Sequence, residues 1–241
     1  MISEPILDAL DDNNTHFTIY TDHKNAAKLI DKYDRIEPYD DHHKIAPNDF
    51  NRVIKLKYEV YPEMNHLDGY ALYANVKLNH RVPLIQKNHT KLGLTPYGLI
   101  APDVSSWIKN MRQWSSRNFQ ELSKVLEVNL NTKVIFLEPE HSFSEMLSLI
   151  EHCDFFIGND SGPAILAQCF QKQTFVLFGA TNPKFILLDK RATPISNEIG
   201  CNGCKHTARH TNIQCATPMC LSSLTVDFVS EVVKSVLQAK F

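Results

Sequence analysis

Short, almost wholly apolar segments alternate with amphipathic segments through the second half of this chain, and this alternation limits its fold more than any other feature. Apolar runs of this length are typical of strands buried on both faces, which occur in parallel sheets covered by helices. We therefore expect an α/β fold built on a parallel sheet. The predicted strands are YGLIAP (97–102), TKVIFLE (132–138), DFFIG (154–158) and QTFVLFG (173–179).

Helix signals fill the segments between these strands. Asn118 and Glu121 have the spacing of a capping box, and Ser142 and Glu145 have the same spacing at the start of the next helix. Helices are predicted at 115–128, 142–153, 163–170 and from Thr225 onward. The last helix is expected to bury an apolar stripe of Phe228, Val232 and Val236, with Leu224 and Val229 as a hydrophobic staple.

The first half of the chain shows the same alternation in a weaker form. The segment KLGLTPYG (91–98) contains Gly and Pro and predicts a linker between two α/β halves. The predicted elements before it are strands at 15–21, 35–39 and 52–58 and helices at 23–33 and 66–78. The expected domains are 1–92, 93–222 with a cysteine-rich loop at 200–220, and a C-terminal helix at 223–241.

Composition excludes several classes of protein. The formal net charge of −2 over 241 residues argues against the broad basic surface that duplex nucleic acid requires. No run approaches the length of about 18 apolar residues that a membrane-spanning helix needs, so no membrane span is expected. The acidic N-terminus lacks the features of a signal peptide, and a cytoplasmic protein is the default expectation.

The hexapeptide Gly158-Asn159-Asp160-Ser161-Gly162-Pro163 lies between a predicted strand and a predicted helix. Ligands of α/β sheets bind at such junctions, because the free N–H groups of a helix N-terminus attract phosphates. Ser161 is expected to cap the helix, and Gly162 would let another molecule approach the backbone. Asp160 is expected on a surface turn, where it could accept hydrogen bonds from hydroxyl groups. The alternative is a well-capped turn without a ligand.

The longer segment DFFIGNDSGPAILAQCFQKQTFVLFGATNP (154–183) resembles the signature of the glycosyltransferase family that contains the ADP-heptose:lipopolysaccharide heptosyltransferases. That family reads D-x-x-I-G-x-D-S-G-P, then a helix, then a strand that ends in F-G-x-T-x-P. The segment APDVSSWIKNMRQWSSRNFQEL (101–122) is similar to the family's loop with a basic residue before Trp. The likeness is clear over 97–237 and weak over 1–80.

The resemblance implies a GT-B-like fold, in which two Rossmann-like halves with parallel sheets face a cleft. The N-terminal half would take a glycan or other hydroxyl acceptor, and the C-terminal half a nucleotide-sugar donor. It also implies a single inverting displacement at the anomeric carbon with no cofactor for catalysis.

The resemblance further implies which residues bind the donor. Asp160, Ser161 and Gly162 would contact its sugar and phosphates, and Arg112 would face the pyrophosphate from the opposite side. The other implied donor residues are Ser105 and Ser106 near the phosphates and Glu138, or Glu140, at the ribose.

The start of the chain departs from the family pattern. The family opens with a strand and a Gly-Asp turn that carries the proposed base, and a Glu-Pro-Ile-Leu helix often follows. Here Glu4-Pro5-Ile6-Leu7 comes almost at once, so the first strand and the catalytic loop are expected to be missing. The true start could lie upstream, another base could act, or catalysis could be lost. Glu4, Asp8 and Asp11 are expected to form a solvated acidic first turn, and the catalytic residues stay unknown.

Four cysteines follow the last predicted strand. The CxxC pair Cys201 and Cys204, together with Cys215 and Cys220, is a pattern typical of a structural zinc site. The alternatives are free thiols, or disulfides in an oxidising compartment.

Two further functions compete with the glycosyltransferase. A sugar-nucleotide epimerase shares the two-domain architecture, and the fold alone does not fix the chemistry. A binding protein could also keep the donor site and have lost catalysis. The paired DSGP and FGxTxP motifs favour the transferase.

Overall fold

The computed structural model describes residues 4–239 except 12–14, 23, 47, 55, 57–63, 88, 94, 95, 105–108 and 207–214. The chain divides into two compact units, residues 1–88 and residues 89–241. Among the described helices, none has both the length and the apolar content needed to cross a bilayer.

The first unit contains a small β–α–β arrangement. Strands β1 and β2 pair in parallel, with Ile19 opposite Ile36. The predicted helix at 23–33 is shorter than expected, because the chain enters β2 already at Tyr33. The predicted strand at 52–58 lies partly outside the described residues, and its described part is not a strand. The elements are α1 (Glu4–Leu10), β1 (Phe17–Tyr20), α2 (Lys24–Ala27), β2 (Tyr33–Glu37), a 3-10 helix (Tyr39–Lys44) and α3 (His66–Ala74).

The described part of the second unit contains a single parallel sheet, as the sequence predicts, but with five strands where four were predicted. The strands are β3 (Tyr97–Ala101), β4 (Lys133–Phe136), β5 (Phe155–Asn159), β6 (Gln173–Leu177) and β7 (Ala192–Ile195). The helices are α4 (Lys109–Arg112), α5 (Ser116–Leu130), α6 (Phe143–His152), α7 (Gly162–Cys169), α8 (Pro183–Ile186), α9 (Met219–Ser222) and α10 (Val226–Gln238), with a 3-10 helix at Cys204–His206.

The strand order is β4-β3-β5-β6-β7, so β5 lies at the centre of the sheet. Every residue of β3, β5 and β6 is buried, which explains why these strands are mostly apolar in sequence. Gly98 of β3 lies opposite Phe155 of β5, and a side chain at Gly98 would overlap the Phe155 ring. The sequence analysis missed β7, since Pro194 weakens its strand signal. Proline is tolerated there because β7 is an edge strand.

The helix starts are partly as predicted. The capping box of Ser142 and Glu145 is present, with both reciprocal hydrogen bonds. The capping box of Asn118 and Glu121 is wrong, because Ser115 caps α5 by accepting from the Asn118 N–H. Because α5 begins at Ser116, Asn118 lies inside the helix and cannot be its N-cap.

Helix α10 begins after Thr225, as predicted, and the Thr225 side chain caps it by accepting from the Phe228 N–H. Its buried face is rotated from the predicted stripe. Val229 and Val233 are completely buried, whereas Phe228 is 46% exposed. Val232 and Val236 pack only at the margin of the core. Because all of these positions are apolar, the sequence pattern does not fix which side of the helix faces the sheet.

Candidate functional site

The central strand β5 leads directly into the loop Asp160–Ser161 and the start of α7. In a parallel sheet, the loops after adjacent strands lie along one edge. The loops after β3, β5, β6 and β7 therefore surround the N-terminus of α7, and each contributes polar side chains to this edge.

Arg112 and Asp160 form an ion pair at this edge. The Arg112 Nη2 atom lies 3.3 Å from Asp160 Oδ2 and also donates a hydrogen bond to the Asp160 carbonyl oxygen. Asp160 is only 5% exposed and the Arg112 side chain 20%. The expectation of a surface turn at Asp160 is therefore wrong, because the carboxylate is buried against the guanidinium. The sequence alone did not predict that Arg112 and Asp160 are direct partners.

Ser161 occupies the N-cap position of α7, but its side chain makes no capping hydrogen bond. The prediction that Ser161 caps the helix is wrong. Its backbone has φ −156° and ψ 172°, whereas the capping Ser142 has φ −61°, so the two hydroxyls leave the chain in different directions. The consequence is a helix N-terminus whose first N–H groups lack a side-chain cap, beside a buried hydroxyl with no partner.

Gly162 follows directly, and a Cβ atom built on it would meet no atom within 4 Å. The space beside its backbone is therefore open. Pro163 occupies the first turn, as predicted, where its missing N–H has no structural cost. The turn thus presents free N–H groups to an open region.

Unpartnered buried side-chain atoms concentrate at this same edge. Such atoms are costly, at about 1–3 kcal/mol each, unless a ligand or water satisfies them. In the described part of the chain they all come from the loops after β3, β5, β6 and β7. They are Arg112 Nε, Gln113 Oε1, Ser161 Oγ, Thr181 Oγ1 and Asn202 Oδ1.

Asn159, which the sequence analysis did not single out as a functional residue, fixes the relative position of two of these loops. Its Oδ1 accepts from the Trp114 N–H (2.9 Å), and its Nδ2 donates to the Pro102 carbonyl oxygen (2.6 Å). The Trp114 indole in turn donates to the Leu224 carbonyl oxygen (3.0 Å). Since Arg112 is two residues before Trp114, this network holds Arg112 against Asp160. A polar residue at the end of an otherwise apolar strand was the available signal.

The other residues predicted to bind the donor make no described contact with Arg112, Asp160 or Ser161. Glu138 is exposed directly after β4, and its backbone N–H donates to His141 Nδ1 (2.9 Å). Strand β4 is two positions from β5, so Glu138 lies at the same edge of the sheet, about 10 Å across from the α7 start. Glu140 is also exposed. Ser105 and Ser106 lie outside the described residues.

The four cysteines after β7 are close enough to influence one another. Burial raises the pKa of the Cys204 thiol, and Cys201 and Cys215 raise it further. Burial likewise raises the pKa of Cys220, with additional contributions from Cys201 and Cys204. No group of three His, Cys, Asp or Glu side chains within the described ranges is arranged to hold a metal ion.

The first-turn carboxylates of the first unit are not all solvated. Glu4 is 1% exposed and accepts from the Leu84 N–H (2.8 Å), and its carboxylate lies 2.9 Å from His80 Nε2. The expectation of a solvated acidic turn is wrong for Glu4, because the first turn of α1 packs inward. Asp8 and Asp11 form ion pairs with Lys32.

The comparisons with known proteins agree with this architecture. Residues 124–214 match the family model of glycosyltransferase family 9 (heptosyltransferase). No curated protein matches the sequence.

Solved structures match over the whole chain at low identity. E. coli ADP-heptose lps heptosyltransferase II is 13% identical, with a TM-score of 0.66 over 99% of this chain and 95% of the other. A glycosyl transferase family 9 structure from Veillonella parvula DSM 2008 is 13% identical, with a TM-score of 0.69 over 99% and 93% of the two chains. These likenesses show the fold.

A shorter match is the iron-containing dodecameric glycosyltransferase TibC from enterotoxigenic E. coli H10407. It is 16% identical, with a TM-score of 0.60 over 74% of this chain. The chain spans 56% of the length of TibC.

Proposed function

We propose that this chain, a heptosyltransferase-like member of glycosyltransferase family 9, transfers a sugar from a nucleoside-diphosphate donor to a hydroxyl acceptor. The observation that carries the proposal is the α7 N-terminus, where uncapped N–H groups, the unpartnered Ser161 hydroxyl and Arg112 come together. Each of these groups donates hydrogen bonds, and such a set suits a diphosphate.

The donor would use groups that have no partner in the protein. Arg112 engages Asp160 through Nη2, whereas its Nε is buried without a partner and is available to a phosphate oxygen. Ser161 Oγ would donate a second hydrogen bond, and the open face of Gly162 would let a phosphate reach the backbone N–H groups. Glu138 would bind the ribose from the neighbouring part of the sheet edge.

The nature of the donor is supported by a relative. TibC has been solved in complex with ADP-D-β-D-heptose. We infer that this chain takes a donor of the same class, a nucleoside diphosphate linked to a heptose or similar sugar, and a glycan as its acceptor.

The proposed reaction is a single displacement at the anomeric carbon. The acceptor oxygen forms a bond to that carbon while the bond to the diphosphate oxygen breaks from the opposite face, which inverts the configuration. The acceptor proton passes to a base that we do not assign. The chemical contribution of the described site is to neutralise the leaving diphosphate, which Arg112 and the α7 N–H groups would do without a metal ion.

The buried carboxylate of Asp160 has two uses in this scheme. It holds the guanidinium in position before the donor arrives, which preorganises the site. It also keeps the site from carrying an uncompensated buried charge when empty, since an unpaired buried ion is strongly destabilising.

A structural metal ion at the cysteine-rich loop is a separate proposal. Its support is that the thiols of Cys201, Cys204, Cys215 and Cys220 lie within electrostatic reach of one another and that their mutual repulsion, once deprotonated, would be offset by a cation. Zinc suits such a thiolate set, and TibC is described as iron-containing. We also propose that the protein acts in the cytoplasm, a reducing compartment in which cysteines are kept as thiols.

The function is tested by a donor screen followed by a turnover assay. Thermal-shift measurements with ADP-, UDP- and GDP-sugars should find at least one sugar nucleotide that raises Tm. The best binder is then incubated with the protein and candidate glycans, and release of the free nucleoside diphosphate is measured by chromatography. Binding without release or transfer would instead support a binding protein that has lost catalysis, and interconversion of the free sugar nucleotide would support an epimerase.

A further inference from the structure

Two polar side chains at the edge of the site each have an oxygen atom without a hydrogen-bond partner, and neither takes part in the proposed binding of the diphosphate. Thr181 follows β6 and is 6% exposed, and its Oγ1 has no hydrogen-bond partner among the described residues. Asn202 follows β7, and its Oδ1 is equally unpartnered. Both groups are neutral, in contrast to the Arg112–Asp160 pair.

Backbone hydrogen bonds join the two loops that carry these side chains. The Gly203 N–H donates to the Gly179 carbonyl oxygen (3.1 Å), and the Lys205 N–H donates to the Ala180 carbonyl oxygen (2.8 Å). Gly203 has φ +72°, and a Cβ atom there would lie 2.9 Å from Asn182 Cβ, so a glycine is needed for this close approach. The loop with Asn202 is thus fixed against the loop with Thr181.

The same loop is joined to the phosphate side of the site. The Ala180 N–H donates to the Met111 carbonyl oxygen (3.3 Å), and Met111 directly precedes Arg112. A Cβ atom on Gly179 would lie 2.8 Å from that same carbonyl oxygen, which shows how closely the segments pack. Thr181 therefore belongs to one continuous rim with Arg112.

The Asn202 oxygen sets this pair of side chains apart from a phosphate site. A hydroxyl such as that of Thr181 can pair with a phosphate oxygen or with a neutral hydroxyl group, whereas an amide oxygen only accepts hydrogen bonds and repels a phosphate oxygen. Leaving such atoms buried without partners destabilises the empty protein, so their retention at one rim points to a ligand that supplies hydroxyl groups. A sugar nucleotide carries hydroxyl groups on its ribose, which we assign to Glu138, and on the transferred sugar at the other end of the diphosphate. The transferred sugar is therefore the part that suits Thr181 and Asn202.

We propose that Thr181 and Asn202 form a hydroxyl-binding subsite that recognises the transferred sugar of the donor. This inference rests on the proposed function, because it takes the diphosphate to be bound at Arg112 and Ser161. The subsite contributes to the choice of sugar and not to the binding of the nucleotide. A site built to pair with a hydroxyl discriminates against sugars that lack it.

The test compares Thr181→Val, which removes the hydroxyl and keeps the shape, with Thr181→Ser, which keeps the hydroxyl. Affinities for ADP-D-β-D-heptose and for ADP are measured by calorimetry on each protein. Thr181→Val should weaken ADP-D-β-D-heptose by about three- to tenfold, the effect of one neutral hydrogen bond, and leave ADP unchanged. Thr181→Ser should bind both ligands nearly as well as the wild type.

Thr174→Val is the matched control. Thr174 is completely buried in β6, and its hydroxyl is already satisfied by the Lys172 carbonyl oxygen (3.1 Å). This variant should lower Tm without a preferential loss of the sugar nucleotide.

The outcomes separate the subsite from the function. Equal weakening of ADP and ADP-D-β-D-heptose by Thr181→Val, or no weakening of either, overturns the subsite while the donor site stands. The subsite is also overturned if the wild type binds ADP-D-β-D-heptose no more tightly than ADP. A wild type that binds neither ligand refutes the proposed donor class, and the subsite falls with it.

Discussion

Replacing Arg112 with alanine should damage stability and donor binding by separate mechanisms. In the protein, the guanidinium is the ion-pair partner of a carboxylate that is almost wholly buried. Arg112→Ala leaves that carboxylate buried and uncompensated, which destabilises the fold even when no donor is present. It also removes the cation and the free Nε that we assign to the diphosphate.

The two effects are similar in size but appear in different measurements. Breaking a fully buried ion pair costs about 3–5 kcal/mol. Because Arg112 is 20% exposed and the closest side-chain contact is 3.3 Å, we expect a smaller loss of about 2–3 kcal/mol in the free energy of unfolding. Loss of a preorganised group that stabilises developing charge costs about 2–4 kcal/mol, or roughly 30- to 1,000-fold in affinity for the diphosphate.

A double variant separates the effects. Arg112→Ala with Asp160→Asn should recover much of the stability, because no unpaired carboxylate is left, but it should not recover donor affinity. Arg112→Lys should keep part of the binding, since the charge remains while the planar fork is lost. Arg117→Ala, at an exposed position on α5, is the control for a general loss of positive charge.

The assays are urea unfolding and calorimetric titration with ADP and AMP. The affinity loss in Arg112→Ala should be larger for ADP than for AMP, because only ADP carries the diphosphate. If ADP and AMP weaken equally, or if the double variant regains ADP affinity, then Arg112 acts only through the fold and its assignment to the diphosphate is wrong.

Four further predictions concern the same edge of the sheet and the cysteine-rich loop. Gly203→Ala should lower the free energy of unfolding in urea by about 1–2 kcal/mol, because the φ of Gly203 is positive and a Cβ atom there would be crowded. Gly162→Ala should leave Tm nearly unchanged, since its Cβ atom would meet no other atom, but it should reduce the affinity for ADP. Normal ADP affinity in Gly162→Ala would contradict the open approach. Asn159→Ala should cost about 2–4 kcal/mol, as it leaves two buried backbone groups unsatisfied, and an unchanged unfolding midpoint would contradict the network. Protein purified without chelator should contain about one equivalent of zinc or iron by elemental analysis, and a metal-free folded sample would argue against a thiolate site.

The parallel sheet of the second unit could be predicted because its strands are buried on both faces. Burial on both sides leaves mostly apolar residues in β3, β5 and β6, apart from Asn159, Gln173 and Thr174, and this makes the strands visible in the sequence. The edge strand β7 was missed for the opposite reason. An edge strand pairs with a neighbour on one side only, so it needs neither a continuous apolar run nor a hydrogen bond from every backbone N–H group. Pro194, which has no N–H group, is therefore tolerated there.

The location of the site was predictable, but its internal contacts were not. The Asp160–Ser161–Gly162 turn stood out because its residue types suit a helix start. The Arg112–Asp160 pair depends on two residues 48 positions apart, and nothing local to either residue reveals that the loops meet. The failure of Ser161 to cap α7 depends on a backbone angle that residue type alone does not set.

Thr181 and Asn202 illustrate a further limit. Thr181 lies within the F-G-x-T-x-P segment, yet the hydroxyl of a threonine in a loop after a strand usually finds a hydrogen-bond partner in the protein or in water. Only the three-dimensional hydrogen-bond inventory shows that its hydroxyl is buried without a partner. Unsatisfied groups are a property of packing and cannot be read from spacing.

The most direct test of the central claim is a crystal structure of the protein with ADP bound. The account predicts that the diphosphate lies at the N-terminus of α7, with phosphate oxygens within about 3 Å of Ser161 Oγ, of the Gly162 backbone N and of Arg112 Nε. A diphosphate bound elsewhere on the chain, with Ser161 Oγ and Arg112 Nε still unpartnered, would contradict the account.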